Sequence, residues 1–361
     1  MVGSDANPLE EDISGFVANR GMQLVVPMTT PDSISGHLVK LYSRFADHEA
    51  RGRSPLYEAL ARGVANDVEV LAFLQTLPSV KQQPNLLFAA LRSVAETPSD
   101  FRDFKHRLLG NADAVRAVML ARATQTNEPA RCATLLPILA RLPQPLALIE
   151  VGAAAGLCLL PDFYGYDFGS RVIHPEAGDG EFPLFSCAAS PNTPLPTRMP
   201  QIVWRAGLDV NPLDATNSDH AAWLETLVWP EQTARLNGLR RALRIAAAQR
   251  PRVVAGSLTS DALPALCREA PADATLVVFH TAVLGYVADQ AERQNFADKV
   301  GSLCRHWISN EVPRVFPDIA DHAGEPSQAG RFLLSVNRTP IAWTDPHGAA
   351  IEWIADVGSN Q

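Results

Sequence analysis

Several absences narrow what this chain of 361 residues can be. Its five cysteines, at 132, 158, 187, 267 and 304, are odd in number and form no CxxC pair. Neither a disulfide framework nor a zinc site is suggested, so reduced, buried thiols and no bound metal are expected. No apolar run approaches membrane-spanning length. The richest, ATLVVFHTAVLGYVA, is interrupted by His280 and Thr281. The stretch MVGSDANPLEEDISGF is acidic and lacks the apolar core of a secretion signal, and a cytoplasmic protein with no membrane partner is expected. Basic excess is missing too: 31 Lys and Arg face 39 Asp and Glu, a net charge of −8. Such a chain gains little from phosphate backbones, which argues against nucleic acid as partner. GxSxG, HExxH and Walker-type loops are absent.

What is there begins with helices. Ser54-Pro55 has the form of an N-cap followed by proline at the first helical position. Asp67 stands as a cap before VEVLAFLQTLP. NLLFAALRSVAE and ADAVRAVMLARAT continue the helical spacing of apolar residues. An N-terminal extension over 1–35 and a helical domain over 36–142 are therefore expected.

From Leu146 the texture changes. LALIEV, QIVWRAGLDV, PRVVAGS, TLVVFH and RHWISN are strand-length apolar runs, with helical stretches such as EQTARLNGLRRALRIAAAQ and ADQAERQNFADKVGSLC between them. Such alternation implies a parallel sheet covered on both faces. RFLLSVN, PIAWT and AAIEWI follow in quick succession, with the tight turn Asp345-Pro346-His347-Gly348 between the last two. The parallel sheet should thus end in antiparallel strands. An α/β domain is expected over 143–361, with a Pro-rich insertion at about 169–200 forming a lid or an extra hairpin.

In an open α/β sheet, ligands bind at the carboxyl ends of strands where the strand order reverses. Glu150-Val-Gly152-Ala-Ala154-Ala-Gly156 stands where a glycine loop belongs, after the first strand. A following helix would add free N–H groups and positive potential. The alternative is that these small residues only permit close packing. The loop does not fit GxGxxG. It resembles the E/D-x-G-x-G-x-G loop of Rossmann-like methyltransferases that use S-adenosylmethionine, with Ala154 in place of the middle glycine. That resemblance implies a Rossmann-like, methyltransferase-type sheet. It implies cofactor binding by Glu150, Gly152, Ala154 and Gly156 on the methionine side. Asp209, at the end of the second strand, is expected at the ribose, with Asn211 as a further cofactor-binding residue. Ser257, after the third, takes the place of an adenine-side acid. Asp209 and Asp261 can also be read as turn and helix-start residues.

His280 ends the fourth strand and could act as a general base. Asn310 and Glu311 end the fifth and are the other candidate catalytic residues, while His347 is most simply a turn residue. Upstream, TQTNEPAR packs polar residues between apolar helices. Asn127 can cap the next helix, with Pro129 in its first turn. Gln125, Glu128 and Arg131 have no such account, and with Asn127 they are the candidate substrate-binding residues.

TQTNEPARCATLLP, LALIEVGAAAGLCLLPDFYGYDFG, WRAGLDVNPLDATNSDHAAWLETLVWPEQ, VVFHTAVLGYV and WISNE…TDPHGAAIEW occur in this order. Together they are similar to a bacterial family, domain of unknown function 2332, from about residue 37 to 355. The methyltransferase resemblance implies methyl transfer, and the helical domain points to a small-molecule or protein acceptor over duplex nucleic acid. The helical domain is expected to cover the substrate side of the sheet. Two alternatives stand beside methyl transfer: a non-catalytic, degenerate Rossmann-like module that binds a ligand or a partner, and an NAD-dependent enzyme.

Overall fold

The structure is a computed structural model that describes residues 31–125, 127–176 and 181–354, residues 31–35 by backbone alone. Most of the expected N-terminal extension, residues 1–30, lies outside the described residues. The chain forms two compact units. One holds described residues 31–125 and 218–237, the other 127–176, 181–217 and 238–354.

The first unit is helical. Ser54 caps helix Pro55–Ala65 by accepting the Tyr57 N–H on its hydroxyl at 3.0 Å. Tyr57, Leu60, Ala61 and Val64 then recur at helical spacing and are buried. Asp67 caps Val68–Gln75 by accepting from Glu69 and Val70. Helices Pro84–Val94 and Ala112–Ala121 also stand where the periodicity places them. Helix Phe101–Gly110 was not anticipated. Only Phe104 and Leu108 of its ten residues are buried, too sparse an apolar stripe to read from sequence. The mainly aliphatic core contains an aromatic cluster. Phe88 meets Tyr42, Phe45, Tyr57 and Phe104 at centroid distances of 4.8–6.2 Å, where each ring pair adds about 0.5–1.5 kcal/mol beyond its buried area.

The second unit is α/β. Its strands are β1 (Leu146–Val151), β2 (Gly165–Asp167), β3 (Val172–Ile173), β4 (Leu184–Ser186), β5 (Ala188–Ala189), β6 (Ile202–Asp209), β7 (Arg252–Ala255), β8 (Thr275–Thr281), β9 (His306–Glu311), β10 (Phe332–Val336), β11 (Thr339–Thr344) and β12 (Ala350–Trp353). A nine-stranded sheet runs in the order β5-β12-β11-β10-β9-β8-β1-β6-β7. The five strands from β9 to β7 pair in parallel. Three antiparallel strands, β10 to β12, follow β9 in chain order. Strand order reverses between β1 and β8, the position at which open α/β sheets bind their ligands. Central β1 is buried at all six positions, as a strand with neighbours on both sides and cover on both faces must be.

Side chains alternate between the faces. Ile149, Val151, Leu208, Val278, Trp307, Leu333 and Trp343 pack with Leu263, Leu266, Phe296 and Val300 of helices Ala262–Glu269 and Gln290–Leu303. Helix Cys132–Leu139 serves the opposite face, where Thr134 reaches Asn310 of β9.

The segment expected as a lid or an extra hairpin supplies β3, β4 and β5; β3 pairs antiparallel with β2, which precedes the segment, and β4 adds to β2 in parallel to make a three-stranded sheet. Residues 177–180 of the segment lie outside the described residues. Its last strand, β5, pairs with β12 at the edge of the large sheet. No helix among the described residues is long and apolar enough to cross a membrane.

Candidate functional site

The loop after β1 is tightly wound. Gly152, Ala154 and Gly156 all have left-handed backbones, with φ of 78°, 46° and 72°. Gly152 needs to be glycine for a second reason: a Cβ there would lie 2.2 Å from Val283 Cγ2. Ala154 holds its conformation against a cost of about 1–2 kcal/mol, and its N–H donates to Asp209 Oδ2 at 2.8 Å. The other Asp209 oxygen accepts the Asn211 N–H at 2.8 Å. So Asp209, buried at the end of β6, fastens the glycine loop to its own strand.

No α-helix follows the loop, which corrects the expectation drawn from its position. Two 3-10 turns, Leu157–Leu159 and Pro161–Phe163, stand there instead. Pro161 has no N–H to give a helix. The Tyr164 and Tyr166 hydroxyls donate to the carbonyls of Leu157 and Pro161, occupying acceptors that a helix would need.

Glu150, one strand over from Asp209, is buried, and its Oε2 has no hydrogen-bond partner among the described residues. Burial pushes its carboxyl well above the usual carboxylate range. Nearby Cys158 and Asp209 raise it further, while Arg131 opposes them. The Cys158 thiol is pushed up in turn, by its hydrogen bond with Cys132 and then by burial.

Segment 127–131 ties the carboxyl edge together. Asn127 Nδ2 donates to Ala153 O at 3.5 Å. The cap of the next turn is Glu128 and not Asn127: Glu128 Oε1 accepts the Ala130 N–H, ahead of Pro129 at the first position. Glu128 O accepts the Cys158 thiol at 3.3 Å. Buried Arg131 donates from Nε to Pro346 O at 2.7 Å and from one terminal nitrogen to Thr281 O at 3.1 Å. One guanidinium thus links the end of β8 to the turn between β11 and β12. Gln125 belongs to the helical unit and is half-buried.

The candidates on β8 and β9 divide between the faces. His280 and Glu311 meet on one, with Nδ1 to Oε1 at 2.7 Å. The same Oε1 accepts the N–H groups of Val283 and Leu284 at 2.8 and 3.0 Å. Glu311 therefore pins the loop whose Val283 side chain abuts Gly152. The His280 ring is fully buried, stacked on Trp307 with centroids 5.8 Å apart. Asn310, on the other face, accepts from Thr344 Oγ1 at 2.8 Å. Ser257 is exposed beyond β7, 3.1 Å from Thr259 Oγ1, and Asp261 starts the next helix without a side-chain cap bond.

The matched family is described as uncharacterized protein conserved in bacteria (DUF2332), and its model covers residues 39–353. The chain belongs to this family. No curated protein matches it.

Sequence reading missed one member of this edge. His347, in the turn of this DUF2332 chain, lies with Nδ1 3.7 Å from Glu128 Oε2. The signal was present in Gly348, whose φ is 84° and whose Cβ would lie 2.1 Å from Ala130 O. A glycine at that turn position marks a close backbone approach, but the segment it approaches is distant in the chain. Among the described residues, no group of three or more His, Cys, Asp or Glu side chains is placed to hold a metal ion.

Proposed function

We propose that the chain binds S-adenosylmethionine at the carboxyl edge of β1 and β6 and transfers its methyl group to a small-molecule or protein acceptor. The observation that carries this reading is the pair of buried acids, Glu150 and Asp209, on adjacent strand ends beside the point where strand order reverses. Glu150 Oε2, buried without a partner, suits the cationic amino group of the methionine part. Asp209 accepts two N–H groups but a carboxylate has about four acceptor sites, so ribose hydroxyls can still be held. Gly152, Ala154 and Gly156 line the cradle, with Asn211 and Ser257 on the adenosine side. When bound, the cofactor supplies an electrophilic methyl group. The chain's own part is to hold cofactor and acceptor in line, with Asn127, Glu128 and Arg131 on the acceptor side. Glu311 and His280 keep the β8 loop against Gly152.

The missing helix after the glycine loop speaks against NAD. A dinucleotide places its pyrophosphate on a helix N-terminus, which the 3-10 turns do not offer. A second reading, a ligand-binding module without transfer, is favoured by the closed loop, whose residues 153–155 are all buried.

Thermal unfolding with S-adenosylmethionine, S-adenosylhomocysteine, NAD, NADP and ATP tests the reading. The adenosyl ligands should raise Tm, stabilising by about 2.7 kcal/mol at a hundredfold excess over Kd, and Asp209→Ala should abolish the rise. No rise with either ligand would sink the proposal. A rise without methyl transfer in a bacterial extract would select the second reading.

A further inference from the structure

We propose that His347, backed by Glu128, is the proton acceptor of this site. The inference deepens the methyl-transfer reading and rests on it for the identity of the reaction. A hydroxyl, thiol or amine acceptor must lose a proton as it gains a methyl group, and a neutral imidazole is the side chain suited to take it near pH 7.

The geometry separates the two candidate histidines. His280 exposes no surface, while His347 is 40% exposed at its side chain. Its Nδ1 is the buried end, has no hydrogen-bond partner among the described residues, and faces Glu128 Oε2 at 3.7 Å. That leaves Nε2 as the ring nitrogen available to a substrate. Glu128 is itself 4% exposed and anchored through Oε1 to Ala130 N. A carboxylate facing Nδ1 favours the tautomer with the proton on that nitrogen, which leaves the Nε2 lone pair for a substrate proton. The 3.7 Å separation is longer than a hydrogen bond, as catalytic contacts often are before a substrate closes the site.

The turn that carries His347 is held at three points. Asp345 Oδ1 accepts the His347 N–H at 2.8 Å, Arg131 donates to Pro346 O, and Gly348 lies against Ala130. Arg131 also bonds Thr281 at the end of β8, next to β1. The imidazole is therefore fixed to the same edge as Glu150. In the proton step the acceptor's bond to hydrogen breaks, its electron pair stays on the acceptor, and an N–H bond forms at Nε2. The resulting imidazolium lies against the Glu128 carboxylate.

Diethylpyrocarbonate, which acylates neutral imidazole, reads the pair without any cofactor. At pH 8, peptide mass spectrometry should show His347 modified, His280 untouched, and exposed His322 as the internal reference. Glu128→Gln should slow modification of His347 several-fold relative to His322. An unreactive His347, or an equal rate in Glu128→Gln, overturns the dyad. Separately, His347→Gln should keep the Tm rise with S-adenosylhomocysteine but lower S-adenosylhomocysteine release in a bacterial extract by about 100-fold or more. Unchanged release overturns the catalytic role. Absence of any Tm rise in the unmodified protein defeats the cofactor reading and with it the methyl-transfer role, while the dyad is judged by its own reactivity.

Discussion

Two histidine–glutamate pairs lie at the carboxyl edge of one sheet and differ in nearly everything but composition. His280–Glu311 is sealed, at 2.7 Å, with Trp307 and Phe296 around the ring. His347–Glu128 is half open, at 3.7 Å, in a turn. The sealed pair spends its carboxylate on the backbone of residues 283 and 284. The open pair leaves a ring nitrogen facing outward. Exposure, more than residue type, separates the two pairs, because only the open imidazole can be reached from outside.

The sharpest way to break the comparison is to remove the buried carboxylate. Glu311→Ala strands His280 and two N–H groups in the core, and a loss of about 3–5 kcal/mol in urea unfolding is expected. A loss below about 1 kcal/mol would place the loop's anchorage elsewhere. Gly348→Ala is the matching change at the open pair. Its Cβ would overlap Ala130 O, in a backbone with φ of 84°. About 2–3 kcal/mol should be lost, and His347 should lose its sensitivity to Glu128→Gln as the turn undocks. Retained sensitivity would show that the turn stays docked without the glycine.

The smallest effect, taken per pH unit, concerns Glu150, a buried acid with no histidine at all. Its folded carboxyl titrates above the unfolded value of 4.5, so the folded chain binds more protons than the unfolded chain in the window between the two. Stability contributed by this group is complete below pH 4.5 and is lost as pH rises through that window, by up to about 1.4 kcal/mol per pH unit. Glu150→Gln should flatten the slope and raise stability at neutral pH. Urea midpoints from pH 4 to 8 that run parallel in the two proteins would refute this.

Much of the fold was legible because its signals are local. Ser54-Pro55 and Asp67 announce their helices by capping chemistry, and LALIEV, TLVVFH and RFLLSVN announce strands by apolar runs of the right length. What failed to show depends on partners distant in sequence. GAAAG looks like a loop that opens a helix until Tyr164 and Tyr166 take the carbonyls. Asn127 looks like a cap until Glu128 proves to face Ala130 N. His347 looks like turn filler until Gly348 brings it to a segment read as part of another region. Strand ends could be placed from the sequence, but not which strand-end side chains share a face, since that follows from register between strands.

The pairing of β5 with β12 has a consequence in time. Ala188 and Ala189 lie against Ala350 and Ile351. At about 5–20 residues per second, a ribosome needs roughly ten to thirty seconds to make β12 after β5 emerges. For that interval the strand has no place in the large sheet. Its shortness is protective, because two small residues offer little edge for a neighbouring nascent chain to join.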